Sequence, residues 1–418
     1  IVMTTLRKKI YMTAGHNTVS LGPGRKEFHP KKPRPGIEHY LKEAGEGTIK
    51  KLGGAEKTDE SVVGNFMAPR YNKQGHLGAF APMISPALQY KPGLSVEAAC
   101  ASGGMSLMTG ITSILAETAD TVLSLGVEVQ NSVKAVYGAD ILAGAGWFQE
   151  RKAGHAHFFP GQFSDRAGAY FKKFGREKTR KAYARWYKNA IENARLCETA
   201  QEYHNTHPDP ESLALSTEPN PRAFTDHLTV FDSSKVSDGA SAIAIMSEEG
   251  LKKHNISPNQ AVQIVGYGHA VEDLTQKPGE LTKLDTMQNA VNKAMEMADI
   301  TKDDLGTVEI HDCFTSAAIM GIEAIGLAPY GKGADFVIDG HTARDGKIPF
   351  NTTGGLIGWG HPTGATGVHM AVTIWEQLTG NAGDAQIKID PKRPYGMSVN
   401  MGGDDKTVMV IIYKNAAS

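Results

Sequence analysis

A cysteine followed by small residues at the foot of a helix is a seat for a nucleophile, and one stands in Val96-Glu97-Ala98-Ala99-Cys100-Ala101-Ser102-Gly103-Gly104. The apolar run ends at Cys100, and Met105, Leu107, Met108 and Ile111 follow near helical spacing, so the pattern predicts strand, tight turn and helix. Cys100 then sits at a helix N-terminus, whose free N–H groups and positive dipole end favour a thiolate and can hold an oxyanion. A buried structural cysteine is the other reading of the same residue. Cys313, in His311-Asp312-Cys313-Phe314, and His361, in Gly360-His361-Pro362, also stand at a strand mouth or beside a glycine turn. Strand ends are where open α/β sheets bind ligands. Where the three converge, His361 can withdraw the Cys100 proton. A second thiol, with an unperturbed pKa of about 8.5, can move a proton to and from carbon. Two thiols beside a histidine point to carbon–carbon chemistry on a thioester. A turn histidine and a packed strand-end thiol are the structural alternatives for His361 and Cys313. Cys197 lies in a charged helical segment with no histidine or glycine turn beside it and is assigned to packing.

Alternating strands and helices must position these residues. A strand from Ile10 leads into a basic Pro/Gly-rich loop. Ile37 to Leu52 reads as a helix ended by Gly53-Gly54. Ser61 to Phe66 reads as a strand and Gly75 to Leu88 as helical. Thr121 to Val129 is an apolar strand, and the alternation predicts a parallel α/β sheet. Between Tyr137 and Asp226 the chain turns aromatic, basic and helix-forming. Arg166, Lys172, Lys173, Arg176, Lys178, Arg180, Lys181, Arg185 and Lys188 form either a solvated helix face or a cradle for phosphates. Phe171, Phe174, Tyr183, Trp186 and Tyr187 fall at helical spacing and are expected to face a core. After Val236 the sheet pattern returns, and the halves echo each other. Ala99-Cys100-Ala101-Ser102-Gly103-Gly104 resembles Gly360-His361-Pro362-Thr363-Gly364-Ala365, and Val236 to Met246 resembles Val399 to Ile412. A duplicated α/β unit with an insertion in the first copy explains both.

Composition sets the limits. The 418 residues are 40% hydrophobic and 21% charged, ordinary for a globular protein with a large core, and the length suits two or three domains. A net charge of −1 supplies no global field for nucleic acid or an anionic membrane. Three widely spaced cysteines make neither a disulfide framework nor a zinc-ligand set, so no metal and a reducing compartment are expected. No apolar run reaches the length of a membrane span. Ile1 to Lys9 contains no visible targeting segment, and the terminal residues are not the peroxisomal Ser-Lys-Leu address.

Here the chain resembles the thiolases over nearly its whole length. Asn351-Thr352-Thr353-Gly354-Gly355 with Gly360-His361-Pro362-Thr363-Gly364-Ala365-Thr366-Gly367 is similar to the family's N-x-S-G-G…G-H-P-x-G-A-T-G signature, and Cys100-Ala101-Ser102 matches its C-x-S nucleophile motif. Asp232 to Ala240 resembles the segment that contacts coenzyme A, which implies that Ser234 lies against the pantetheine arm. Two departures mark the subfamily: His311-Asp312-Cys313-Phe314 replaces N-E-A-F, and Asn400-Met401-Gly402 replaces C-x-G. The former resembles the sterol-carrier-protein-2 (SCP2) type, which implies that Cys313 is the acid/base and that His311 stands for the Asn that helps position an oxyanion-hole water. By the same resemblance the N–H groups of Cys100 and Gly402 form the second oxyanion hole, and His361 contributes to the first.

The resemblance implies a thiolase fold, duplicated α/β domains in five α/β/α/β/α layers. Residues 1–136 and 227–258 are the expected N-terminal domain, and 259–418 the C-terminal one. Residues 137–226 are an inserted loop domain that binds CoA and covers the active site. The implied activity is cleavage of 3-ketoacyl-CoA by CoA to acetyl-CoA and a shortened acyl-CoA, or the reverse Claisen condensation, through acyl-Cys100. CoA is then a substrate with no tightly bound cofactor, the assembly a homodimer or homotetramer, and the location a mitochondrial or peroxisomal, glycosome-like matrix. Two other readings share the scaffold. A ketoacyl-synthase-like condensing enzyme usually relies on two histidines or a His/Asn pair, and the Cys313 motif speaks against it. A CoA-ester or lipid-binding protein with little turnover has no need of the intact Cys100, Cys313 and His361.

Overall fold

Runs such as Val408-Met409-Val410-Ile411-Ile412 are apolar on both faces, so their strands need cover on both sides of the sheet. The computed structural model describes residues 6–151 and 157–418. Its main elements are β1 (Ile10–Asn17), α1 (Ile37–Leu52), β2 (Glu60–Gly64), β3 (Gly93–Val96), α2 (Ser102–Leu115), β4 (Thr121–Val129), α3 (Phe158–Phe174), α4 (Arg176–Ala194), β5 (Asp238–Met246), β6 (Val262–Val271), α5 (Asp285–Ala298), β7 (Leu305–Ile310), α6 (Thr315–Ile325), α7 (Thr366–Thr379), β8 (Tyr395–Gly402) and β9 (Thr407–Asn415). The strands order as β3-β2-β4-β5-β1-β6-β9-β8-β7. The two halves join where Ile10, Tyr11 and Met12 pair antiparallel with Ile264, Gln263 and Val262.

The duplication is visible in this order. Outward from the junction, β1, β5, β4 and β2 pair antiparallel, antiparallel and parallel, and β6, β9, β8 and β7 repeat that sequence. α2 precedes β4 as α7 precedes β8, so the helices that follow Cys100 and His361 occupy equivalent places. They form the middle layer, packed on each other and against both halves of the sheet. Leu107, Ile111 and Ile114 of α2 share one core with Val368, Val372 and Ile374 of α7 and with Ile10, Ile243, Met409 and Ile411 from the strands. α1 covers the outer face of β1, β4 and β5, while α5 lies on β6 and β9 with α6 beside it, which completes five layers.

The sheet is mixed rather than parallel, with parallel pairing only along β3-β2-β4 and between β8 and β7, because β1, β5, β6 and β9 pair antiparallel through its middle; two local expectations shift as well. The strand expected to reach Cys100 ends at Val96, and Glu97 to Ala101 form a turn. The helix expected over Gly75 to Leu88 is broken into the turns Leu77–Phe80, Ala81–Ile84 and Pro86–Leu88, because Pro82 and Pro86 lack the N–H that would continue each preceding turn. α1 ends as expected, with Gly53 left-handed at φ 77°. Residues 137–226 contribute helices and no strand among the described residues. Phe171, Tyr183, Trp186 and Tyr187 do face a core, shared with β7 and α6. Among the described residues no helix is long and apolar enough to cross a membrane.

Candidate active site

The two middle helices meet at their N-termini, backbone against backbone. A Cβ on Gly367 would stand 2.2 Å from the Gly104 nitrogen, and one on Gly103 would stand 2.8 Å from the Gly367 nitrogen. Only glycine allows so close an approach. Its consequence is that the residues just ahead of each helix, Cys100 and His361, are driven together. One ring nitrogen each of His311 and His361 and the Cys100 sulfur all lie within 4.8 Å of one another.

Cys100 sits in a turn held from both sides. Ala99 is left-handed at φ 52°, a conformation that non-glycine residues take only where surrounding bonds hold it. Here Ser102 supplies them, its Oγ accepting from the Ala98 N–H at 2.9 Å and donating to the Ala99 carbonyl at 2.6 Å. The sulfur receives the N–H groups of Gly403 and of Cys100 itself. Part of the side chain reaches solvent, yet the surrounding protein is dense enough that desolvation, reinforced by Glu128, pushes the thiol up to about 12. The resting nucleophile is therefore a thiol rather than the thiolate that a helix N-terminus alone would favour.

His361 faces it as a neutral base. Burial brings its pKa down to about 3. Its Nδ1 lies 2.6 Å from Thr366 Oγ1, and the Thr366 hydroxyl reaches the Pro362 carbonyl at 3.3 Å. Its Nε2 is buried without a hydrogen-bond partner. The backbone is pinned by Ser237 Oγ, which accepts the His361 N–H at 3.0 Å, and by Gln130 Nε2, which donates to the His361 carbonyl at 2.7 Å. His311 stands edge-on to it, ring centroids 5.1 Å apart, and burial holds its pKa well below the usual histidine range.

Cys313 completes the group. It is 7% exposed, and burial, followed by the charge of Cys100, pushes its thiol far up, so the two sulfurs are near enough to sense each other. The Ser234 N–H donates to the Cys313 carbonyl at 2.8 Å, which places the predicted pantetheine contact beside the second thiol. Gly402 packs against the Cys100 turn, where a Cβ would stand 2.4 Å from the Ala98 oxygen. Besides the N–H of Cys100 itself, the N–H that this turn gives to the Cys100 sulfur belongs to Gly403, the next residue along, which is left-handed at φ 65°. Cys100, Cys313, His311, His361, Ser234 and the Gly402 turn are thus gathered in one place. Cys197 lies apart, packed with Ala194, Ala200 and Trp359. Sulfur and imidazole donors are also the kinds that bind zinc, and Cys100, His311 and His361 are the one such group of three among the described residues.

Three supporting residues, two of them inside motifs already named, were given no role of their own from sequence. Buried Glu128, next to last in β4, accepts from the Phe66, Met67 and Gly364 N–H groups, Asn65 Nδ2 and Thr363 Oγ1 at 2.9–3.1 Å, tying the Gly-His-Pro turn to the first half. Asn400 donates to the Cys100 carbonyl at 2.9 Å and accepts the Gly104 N–H at 3.0 Å. Asp312 accepts from Trp186 Nε1 at 3.0 Å and from the Leu356 N–H at 2.7 Å, while burial raises its carboxyl to about 7. Of the basic run, Arg166 is buried against Asp404 and Arg180 against Glu218, and the others except Lys172 also have carboxylates at ion-pair distance. Little uncompensated charge is left there for a phosphate.

Known proteins match this arrangement. Residues 266–415 match the family model described as Thiolase C-terminal domain-like. An acetyl-CoA acetyltransferase of Methanothermobacter thermautotrophicus is 32% identical over 378 residues, 89% of this chain and 93% of that protein. Sterol carrier protein 2 of Bos taurus is 28% identical over 77% of this chain and 59% of its own length. Two solved structures share the fold. The Ltp2-ChsH2(DUF35) aldolase has a TM-score of 0.78 at 17% identity, covering 99% of both chains. Human mitochondrial 3-ketoacyl-CoA thiolase in complex with CoA has a TM-score of 0.70 at 18% identity, covering 98% of both. A duplicated five-layer fold, a Cys100–His361 pair at its centre and a relative matched over nearly its whole length converge on one conclusion: the chain belongs to the thiolase family, and its His311-Asp312-Cys313-Phe314 motif is similar to that of the sterol-carrier-protein-2 type.

Proposed function

We propose that the protein cleaves 3-ketoacyl-CoA with CoA, or runs the reverse Claisen condensation, through an acyl group on Cys100. The observation that carries this is a His361 ring nitrogen within 4.8 Å of the Cys100 sulfur, on a ring that burial keeps neutral and whose Nε2 has no hydrogen-bond partner. As Cys100 attacks the keto carbon, its S–H proton passes to His361. The carbonyl becomes an oxyanion, whose stabilisation by preorganised N–H donors is the largest single aid such a step receives. His311 is the side-chain donor in reach, and the Cys100, Gly402 and Gly403 backbone lines the second position. Collapse breaks the bond between the keto and alpha carbons and leaves the shortened acyl group on Cys100. Cys313 gives its proton to the alpha carbon, so acetyl-CoA departs. The Cys313 thiolate then takes the thiol proton of incoming CoA, whose sulfur attacks acyl-Cys100. The released Cys100 sulfur regains its proton from His361.

Ser234, bonded through its backbone to Cys313, is the contact we assign to the pantetheine arm. Residues 137–226 are assigned as the inserted loop domain over the site, since Trp186 of α4 reaches Asp312 inside the second-thiol motif. CoA is a substrate in this scheme, with no tightly bound cofactor, and a homodimer or homotetramer is the expected assembly.

A second reading has one observation in its favour: two histidines beside Cys100 are also what a condensing enzyme of the ketoacyl-synthase kind uses. The assays differ. Loss of acetoacetyl-CoA and of a longer 3-ketoacyl-CoA on adding CoA is expected for the intact protein, and Cys100→Ala should abolish it. Cys313→Ala should also be inactive while still trapping acyl-Cys100, detectable by mass spectrometry. Condensation from a malonyl thioester without thiolysis would establish the second reading, and CoA-ester binding with no turnover would leave a binding protein.

A further inference from the structure

The two departures from the thiolase pattern, His311 and Asn400, touch each other. Asn400 Nδ2 lies 3.2 Å from His311 Nδ1, although the residues are 89 positions apart. The orientation of the Asn400 amide is fixed by two partners that have no choice of role. The Gly104 N–H can only donate, so the atom facing it at 3.0 Å is Oδ1. The Cys100 carbonyl can only accept, so the atom facing it at 2.9 Å is Nδ2. The second hydrogen on Nδ2 then points at His311 Nδ1, which must accept it. A neutral imidazole carries one hydrogen, and with Nδ1 accepting, that hydrogen is on Nε2.

We propose that Asn400 is a positioning residue that holds His311 in the Nε2–H tautomer, so that His311 offers a donor, never a lone pair, to the oxygen of the reacting carbonyl. The inference rests on the thiolase reading for that last step only. It divides the labour of the two rings. His361, with Nδ1 against Thr366 and Nε2 unpartnered, is assigned the base. His311, with Nδ1 against Asn400, is the donor. In the other tautomer His311 would turn a lone pair toward a developing oxyanion and compete with His361 for the Cys100 proton. The same amide ties the Cys100 carbonyl to the start of α2, so one side chain sets both the nucleophile's turn and the donor's hydrogen.

The test is a long-range ¹⁵N–¹H correlation spectrum of protein labelled at histidine, with His311 assigned by the signals lost in His311→Asn. The intact protein should show His311 protonated at Nε2 and bare at Nδ1. Asn400→Asp keeps the shape but replaces the donor with an acceptor, so the hydrogen should move to Nδ1. The thiolysis kcat should then fall on the order of 10² to 10³, the usual loss for one oxyanion donor, with KM little changed. Asn400→Ala, which adds no charge, should show both tautomers and serves if the Asp variant fails to fold. An Nδ1–H signal for His311 in the intact protein, or a pattern unmoved by both variants, would overturn the proposal. The expected tautomers in a protein without thiolysis would sink the reaction assigned above and leave the role of Asn400 in setting the tautomer standing.

Discussion

Gly104 and Gly367, at the starts of the two middle helices, are in backbone contact, and this contact brings Cys100 to His361. Gly367→Ala places a methyl carbon 2.2 Å from the Gly104 nitrogen and 2.3 Å from Asn400 Oδ1. Neither the helix backbone nor Asn400 can yield without moving Cys100. The variant should lose about 1–3 kcal/mol of stability, the usual cost of overpacking, and lose activity by a larger factor than its stability explains. Urea unfolding and thiolysis on the same preparation check this; full activity with reduced stability would show that the contact serves the fold alone.

Cys100 should alkylate as a desolvated thiol. With the thiol pushed up to about 12, its reaction with iodoacetamide should accelerate about tenfold per pH unit from pH 6 to 10 without levelling. Glu128 is a named cause of that rise, so Glu128→Gln should speed alkylation at a given pH even as it slackens the Gly-His-Pro turn and slows turnover. Modification at Cys100 is followed by peptide mass spectrometry. A plateau below pH 7 would instead reveal a standing thiolate–imidazolium pair.

Glu309→Gln should flatten the pH dependence of stability. Buried Glu309 is raised to about 8, chiefly by desolvation, and its Oε1 accepts the Thr352 N–H at 3.0 Å. Between the unfolded value of about 4.3 and about 8 the native state holds a proton that the unfolded chain has released. Stability from this group is therefore present at low pH and lost as pH rises through that window. Denaturant unfolding at pH 5.5 and 8 should show a smaller loss for the variant than for the parent. An equal loss in both would mean that Glu309 does not titrate there.

Arg166→Met should be severely destabilising. Arg166 joins α3 to the turn after β8, with Asp404 at 2.5 Å and the Leu281 and Lys283 carbonyls at 3.1 and 2.8 Å. Removing one partner of a buried pair costs about 3–5 kcal/mol, because the other charge is left unpaired. Adding Asp404→Asn should recover part of that, measured as a double-mutant cycle in urea. No recovery would mean that the carbonyl contacts, not the ion pair, are what matters.

Much of this protein follows from its order of residues alone. The alternating apolar runs give strands and helices, the echo between Cys100-Ala101-Ser102-Gly103-Gly104 and His361-Pro362-Thr363-Gly364-Ala365 anticipates the equivalent places of α2 and α7, and Cys100, Cys313 and His361 stand out because turns and glycines surround them. These are local signals, set by periodicity and turn chemistry. Tertiary structure decided the rest. Val96 ends its strand because the following residues bend through a left-handed Ala99, a choice made by Ser102 and invisible in an apolar run. Glu128 reads as a charge within a strand, and only the fold supplies the donors from residues 65–67 and 363–364 that hold it. The partners of Asn400 lie 300 and 89 positions away in sequence, at Cys100 and His311. Hydrogen bonds between such distant residues leave no periodic trace, because each depends on the meeting of two helices and a strand end rather than on anything either segment does by itself.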